Sequence, residues 1–111
     1  MQYHEYRQCI DACLNCAALC NYCASSCLQE KEVDRLTHCI QLDIECAAVC
    51  YTAAQLMSLG SSQAEKYCQI CADFCNECAG ECEKHAKRMK HCRECAEACR
   101  ICEELCLQVF V

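Results

Sequence analysis

Cysteine recurs along this chain at alternating steps of three and four residues, and this spacing constrains the fold more than any other feature. The steps are 4, 3, 4, 3, 4 in the first of four groups and 3, 4, 3, 4 in the third and fourth. The 19 cysteines are Cys9, Cys13, Cys16, Cys20, Cys23 and Cys27; Cys39, Cys46 and Cys50; Cys68, Cys71, Cys75, Cys78 and Cys82; and Cys92, Cys95, Cys99, Cys102 and Cys106. Because this is the period of a helix seam, each group predicts one α-helix with its thiols on a single face.

Only short segments separate the four helical groups of cysteines, so the sequence predicts an all-α fold. The sequence has no proline, and strong helix formers fill the positions between the cysteines. The predicted helices span residues 4–29, 34–58, 62–86 and 88–108. Short connections favour antiparallel neighbours, so we expect an up-down-up-down four-helix bundle with a Cys-lined core. Residues 1–111 are expected to form one domain.

Local signals mark the ends of the predicted helices. Gly60 is a candidate C-cap, and Ser62 with Glu65 three residues later predicts a capping box at the start of the third helix. The segment between the third and fourth helices, residues 84–90, is basic, as expected for a helix C-terminus followed by a turn.

Charge and cysteine usage limit the partners and the compartment. Ten basic and 16 acidic residues give a net charge of −6, which argues against a nucleic-acid partner. Residues 12–29 and 46–64 carry no charge but are too polar to span a membrane. The N-terminal residues lack the basic and apolar regions of a signal peptide. An odd number of cysteines prevents complete intramolecular pairing, so we expect a cytoplasmic protein with reduced thiols.

The helical spacing of the thiols suits metal binding better than disulfides. Residues three or four apart on a helix have Cβ atoms about 5–6 Å apart, whereas a disulfide needs roughly 3.8 Å. Two collinear metal–sulfur bonds would place the sulfurs roughly 4.5 Å apart. Eight Cys-x-x-x-Cys pairs are available: Cys9/Cys13, Cys16/Cys20, Cys23/Cys27, Cys46/Cys50, Cys71/Cys75, Cys78/Cys82, Cys95/Cys99 and Cys102/Cys106.

Thiolates in this number favour Cu(I). Soft sulfur ligands select Cu(I), zinc or iron–sulfur clusters, and iron–sulfur clusters prefer a different cysteine spacing. A row of buried thiolates needs compensating cations, and one Cu(I) per thiolate would neutralise it. We therefore expect multiple Cu(I) ions, roughly one per cysteine, held in a store and not in an enzyme. A zinc or general metal sink of metallothionein type is the alternative, and a thiol redox protein is a further one.

Histidine and methionine collect at one predicted end of the bundle. His85 and Met89 continue the seam of the third helix, while His38 and His91 each precede a cysteine. These four residues are candidate auxiliary ligands at a copper entrance, with His85 expected to matter most. The opposite end should be an apolar plug formed by Tyr6, Met57, Ala64, Leu105, Val109 and Phe110.

The second helix departs from the pattern. Its seam carries Asp43 at an inward position, and the sequence leaves open whether this carboxylate is a ligand or turns outward. A second apolar row is available to bury against another subunit. That row comprises Leu36, Ile40, Ile44, Ala47 and Tyr51.

Repeated Cys-x-x-x-Cys in four helical segments resembles the cytosolic bacterial copper storage proteins, over about residues 4–108. The resemblance implies a four-helix bundle filled with Cu(I)-thiolate, often assembled as a tetramer. It assigns ligand roles to the 19 cysteines. The expected partners are copper ions, a copper-donating chaperone or small thiol, and further copies of the chain, with neither nucleic acid nor membrane involved.

Overall fold

The computed structural model describes residues 3–109, which form four α-helices joined by short links. The helices are α1 (Tyr3–Leu28), α2 (Thr37–Ser58), α3 (Ala64–Glu83) and α4 (Lys90–Gln108), with a 3-10 turn at Val33–Arg35 before α2. Residues 3–109 contain no strand. Each helix packs against two others, α1 and α3 both lying against α2 and α4. The prediction of an all-α antiparallel bundle is confirmed.

Cysteine and alanine fill the centre of the bundle. All 19 cysteines are buried, and none is more than 5% exposed. Alanines such as Ala17, Ala47 and Ala72 are buried beside the seams and let the helices approach closely. Since cysteine packs as a small hydrophobic residue, the same side chains form the apolar core and the row of sulfur atoms.

One end of the bundle is closed by larger apolar side chains. Tyr6, Met57 and Ala64 are buried there, where α1 and α3 begin and α2 ends. Leu105 and Val109 pack against this core from α4. The sixth expected member of the plug, Phe110, lies outside the described residues.

The end of α3 differs from the prediction. The helix ends at Glu83 and not at residue 86. Its last turn tightens, with the His85 N–H donating to the Cys82 carbonyl at 3.0 Å, three residues back. Met89 is then extended (φ −130, ψ 114) and turns the chain into α4. His85 therefore leaves the seam on which the sequence had placed it.

The link between α2 and α3 is a glycine cap. Gly60 has φ 64, its N–H donates to the Met57 carbonyl at 3.1 Å, and the Ser61 N–H donates to the Leu56 carbonyl at 3.0 Å. These bonds define a Schellman motif. The capping box at Ser62 is wrong, because α3 begins after Gln63 with no side-chain cap.

The two glycines should respond oppositely to alanine. Gly60→Ala forces a Cβ into the left-handed region and should lower the free energy of unfolding by about 1 kcal/mol. Gly80 lies in the interior of α3, and an added Cβ would meet nothing within 4 Å. Gly80→Ala should raise the free energy of unfolding by about 0.5–1 kcal/mol. Urea denaturation of both reduced variants measures these changes. A change of the same sign in the two variants would contradict the prediction.

The second apolar row of α2 is only partly exposed. Leu36 and Ala47 are buried in the chain's own bundle and Ile40 packs against it, whereas Ile44 is 56% and Tyr51 48% exposed. The row is therefore split between the bundle core and the surface. Within residues 3–109, no helix has the length and apolar character needed to cross a bilayer.

Candidate metal centre

Thiols on facing helices approach as closely as thiols on the same helix. Cys16 of α1 lies 3.6 Å (Sγ–Sγ) from Cys99 of α4, and Cys50 of α2 lies 3.6 Å from Cys71 of α3. The Cys16–Cys20 pair within α1 is separated by 3.9 Å. All 19 thiols are free of disulfides. The sulfurs therefore form contacts around the whole bundle axis.

These contacts combine into four-thiol clusters whose sulfur atoms lie within 4.8 Å of one another. Five such clusters are Cys13/Cys71/Cys102/Cys106, Cys16/Cys46/Cys50/Cys75, Cys16/Cys20/Cys46/Cys99, Cys20/Cys78/Cys95/Cys99 and Cys23/Cys27/Cys39/Cys92. Four cysteines each belong to two of these five clusters: Cys16, Cys20, Cys46 and Cys99. The Cys-x-x-x-Cys pair is therefore not an isolated unit, because its members share neighbours supplied by other helices.

Burial opposes ionisation of the thiols in the core. Desolvation raises the pKa of Cys27 to about 12, with repulsion from the neighbouring Cys39 as the next cause. In contrast, hydrogen bonds with Cys23, Cys82 and Cys92 lower the pKa of Cys39, so contacts among the thiols partly offset the effect of burial. A bound metal must displace a proton from each thiol that it uses.

Asp43 points into the row of sulfurs. It is fully buried, and its Oδ1 accepts hydrogen bonds from Cys78 at 3.2 Å, Cys95 at 3.4 Å and Cys82 at 3.6 Å. Desolvation, followed by repulsion from Cys95 and Cys39, raises the pKa of Asp43 to about 9. The structure thus places a neutral carboxylic acid among the thiols, and the orientation left open by the sequence is inward.

One imidazole faces the thiols at the end opposite the apolar plug. The Nδ1 atom of His91 lies 3.6 Å from the Sγ atoms of Cys23 and Cys92 and 3.8 Å from that of Cys27. His91 is 8% exposed. We call Cys23, Cys27, Cys39, Cys92 and His91 the His91 cluster.

The other candidate auxiliary ligands lie further from the sulfurs. Met89 contributes a thioether 3.9 Å from Cys92 Sγ. His85 is half-buried in the turn after α3, with its Nε2 3.0 Å from Glu81 Oε2, and His38 is exposed. His91, at the start of α4, therefore occupies the position that the sequence had assigned to His85. The reason is the early end of α3.

Comparison with known proteins identifies the family. The sequence profile described as "Copper storage protein" matches residues 2–111, a range that contains all 19 cysteines. The chain belongs to the copper storage protein family. The resemblance stated from the cysteine pattern is confirmed.

Solved structures of family members share this fold. The chain is similar to a cytosolic copper storage protein from Streptomyces lividans loaded with five coppers, with a TM-score of 0.92 and 41% identity over 96% of this chain and 92% of that one. It is also similar to the Cu(I)-bound copper storage protein BsCsp3, with a TM-score of 0.89 and 41% identity over 96% of this chain and 97% of that one.

A curated relative is also similar. The chain is 43% identical over 84 residues, 76% of each sequence, to the uncharacterized cysteine-rich protein YhjQ of Bacillus subtilis strain 168. Both copper-bound relatives match nearly the full length of the chain, so their bundles and this one are comparable from end to end.

Proposed function

We propose that this chain stores Cu(I) on the thiolates of its core, at roughly one ion per cysteine, and that all 19 cysteines are ligands. The observation that carries the proposal is the continuous row of buried thiols, whose four-membered clusters share members along the axis. The S. lividans relative is described with five coppers and with 10 copper equivalents. The role is storage, with no catalytic reaction.

Shared clusters favour Cu(I) over zinc. A structural zinc ion takes about four ligands of its own at a distance of about 2.3 Å, so isolated zinc sites would use the thiols four at a time. In this core Cys16, Cys20, Cys46 and Cys99 are each shared by at least two clusters. A sulfur that belongs to two clusters can bridge two or three Cu(I) ions, so all the thiols can serve as ligands at once. One Cu(I) per thiolate also balances the negative charge.

A competitive titration tests which metal the core takes. Reduced protein should remove Cu(I) from a chromophoric chelator until the bound copper approaches the thiol count, and it should bind far fewer Zn(II) ions. Saturation with four or five ions of either metal would support the zinc-sink alternative instead. A thiol redox enzyme would turn over a disulfide substrate without metal, and we expect no turnover.

We propose that copper reaches the core at the His91 cluster. Imidazole and thioether are neutral ligands that hold Cu(I) and pass it to the thiolates, whereas the opposite end is closed by Tyr6 and Met57. Met89 stands next to Cys92 and extends this set of neutral donors. His85 and His38 contribute less, because neither contacts a thiol as His91 does.

Replacing the ligands at this entrance should slow copper transfer in both directions. The triple variant with alanine at His85, Met89 and His91 should load and unload more slowly, with a final copper count within about one or two ions of wild type. His91→Ala alone should account for most of the delay, and the exposed His38→Ala is the control. Stopped-flow transfer from a Cu(I)–chelator complex measures both rates. Equal rates for wild type and triple variant would mean that copper enters elsewhere.

We further propose a cytosolic homotetramer of single-domain chains that receives copper from a chaperone or a small thiol. The S. lividans relative is described as cytosolic. Apolar side chains exposed on α1 and α2, among them Tyr22, Ile44 and Tyr51, offer an association surface. Light scattering after size-exclusion chromatography tests the assembly, and a monomer at micromolar concentration would contradict it.

A further inference from the structure

The imidazole of His91 bridges the thiols and a carboxylate from a different part of the chain. Its Nε2 lies 2.9 Å from Oε2 of Glu30, which belongs to the link after α1, while its Nδ1 faces Cys23 and Cys92 at 3.6 Å. The ring also meets Tyr22 edge to face, with centroids 6.5 Å apart and an interplanar angle of 88°. The ring is thus held at both nitrogens.

We propose that Glu30 is a positioning residue for copper uptake, holding His91 in the tautomer that presents an unprotonated Nδ1 to the thiols. This inference rests on the proposed copper loading at the His91 cluster. Glu30 does not contact the metal in this proposal. It acts through the imidazole.

The chemistry of the two partners gives the direction of the hydrogen bond. An ionised carboxylate only accepts, so the proton between Glu30 and His91 belongs to Nε2. A neutral imidazole carries one N–H, and its other nitrogen keeps the lone pair that a metal needs. Nδ1 is therefore left as the donor atom facing Cys23, Cys27 and Cys92.

Loss of Glu30 would release this constraint. The Nδ1–H tautomer would then become accessible, and a proton would stand where Cu(I) must bind. Carboxylates that hold the second nitrogen of a metal-binding histidine act in this way, and their removal costs about 10–100-fold in affinity or activity. Copper transfer through His91 should slow by a comparable factor.

The chain supplies a matched control in Glu32. Both glutamates line the same open cavity of about 540 Å³ beside Met89. The Glu30 and Glu32 side chains are 38% and 48% exposed, but Glu32 Oε2 accepts from Arg88 Nη2 at 3.1 Å. Removing Glu32 changes the charge of the cavity to the same extent and leaves the bond to His91 in place.

The first measurement is the tautomer of His91 in the reduced, metal-free protein, by ¹⁵N NMR of the ring nitrogens. Wild type and Glu32→Ala should show a protonated Nε2 and an unprotonated Nδ1, because the Glu30 carboxylate can only accept a hydrogen bond. Glu30→Ala should show a mixture of tautomers. An unchanged tautomer in Glu30→Ala, or a doubly protonated ring in wild type, would overturn the proposal.

The second measurement is the rate of Cu(I) transfer from a chelator complex. Glu30→Ala should load about tenfold more slowly but reach the wild-type copper count, while Glu32→Ala should load at close to the wild-type rate. Equal slowing by Glu32→Ala would show a charge effect and overturn the assignment. Failure of wild type to bind copper at all would refute the storage function instead, and the tautomer measurement would still decide the role of Glu30.

Discussion

Loading with Cu(I) should raise the unfolding temperature of this protein by at least about 20 °C. The apoprotein is expected to be folded already, because its buried cysteines and alanines form a continuous core without metal. An ion that binds only the folded form at a hundredfold excess over its Kd adds about 2.7 kcal/mol. In a domain of this size, 1 kcal/mol shifts the midpoint by about 4 °C. Several ions bound together therefore produce a large shift.

Circular dichroism during heating measures both parts of this prediction. The reduced apoprotein should give a helical spectrum and a cooperative transition, and the transition should move upward with each added equivalent of Cu(I). Extraction of the copper by a strong chelator should restore the apoprotein midpoint, which controls for irreversible oxidation of the thiols. A random-coil spectrum for the reduced apoprotein would contradict the preformed core and favour a metallothionein-like mechanism, in which metal drives folding.

Replacing Asp43 with Asn should remove a strong pH dependence of apoprotein stability. The folded-state pKa of Asp43 is raised to about 9 from its ordinary value of 3.8, mainly by burial. Between these values the folded chain holds a proton that the unfolded chain has released. The stability associated with that proton is fully present below about pH 4 and is lost as the pH rises toward the folded pKa, at up to about 1.4 kcal/mol per pH unit.

The comparison of variants isolates this effect. From pH 5 to pH 8 the free energy of unfolding of wild type should fall by about 4 kcal/mol relative to Asp43→Asn. The exposed Asp73→Asn serves as the matched control and should follow wild type. Denaturant titrations of reduced protein at several pH values provide the data, and parallel profiles for wild type and Asp43→Asn would contradict the buried neutral acid.

The period of the cysteines was sufficient to predict the bundle and the composition of its core. Alternate steps of three and four residues place every thiol on one face of its helix, and short links leave few ways to pair the faces. Asp43 falls on the same period, but the pattern left open whether its side chain turns inward, which its hydrogen bonds with Cys78 and Cys95 show.

Helix ends and contacts between helices were harder to predict. The end of α3 depends on backbone hydrogen bonds such as that from His85 to Cys82, which a seam pattern does not report. Extending the pattern to residue 86 therefore placed His85 on a seam that ends before it. The Glu30–His91 bond joins positions 61 residues apart and belongs to no periodic pattern. Shared sulfur clusters depend on the register between helices, which the spacing within one helix does not determine.

Anomalous diffraction from crystals of Cu(I)-loaded protein, recorded at the copper absorption edge, tests the central claim most directly. Copper peaks should follow the bundle axis from Cys9 and Cys106, whose sulfurs lie 3.6 Å apart, to the His91 cluster. Each peak should lie within about 2.3 Å of at least two sulfur atoms, and the peaks should number close to the 19 cysteines. Four or five separate peaks, each surrounded by four sulfurs that no other peak shares, would contradict a continuous copper-thiolate store.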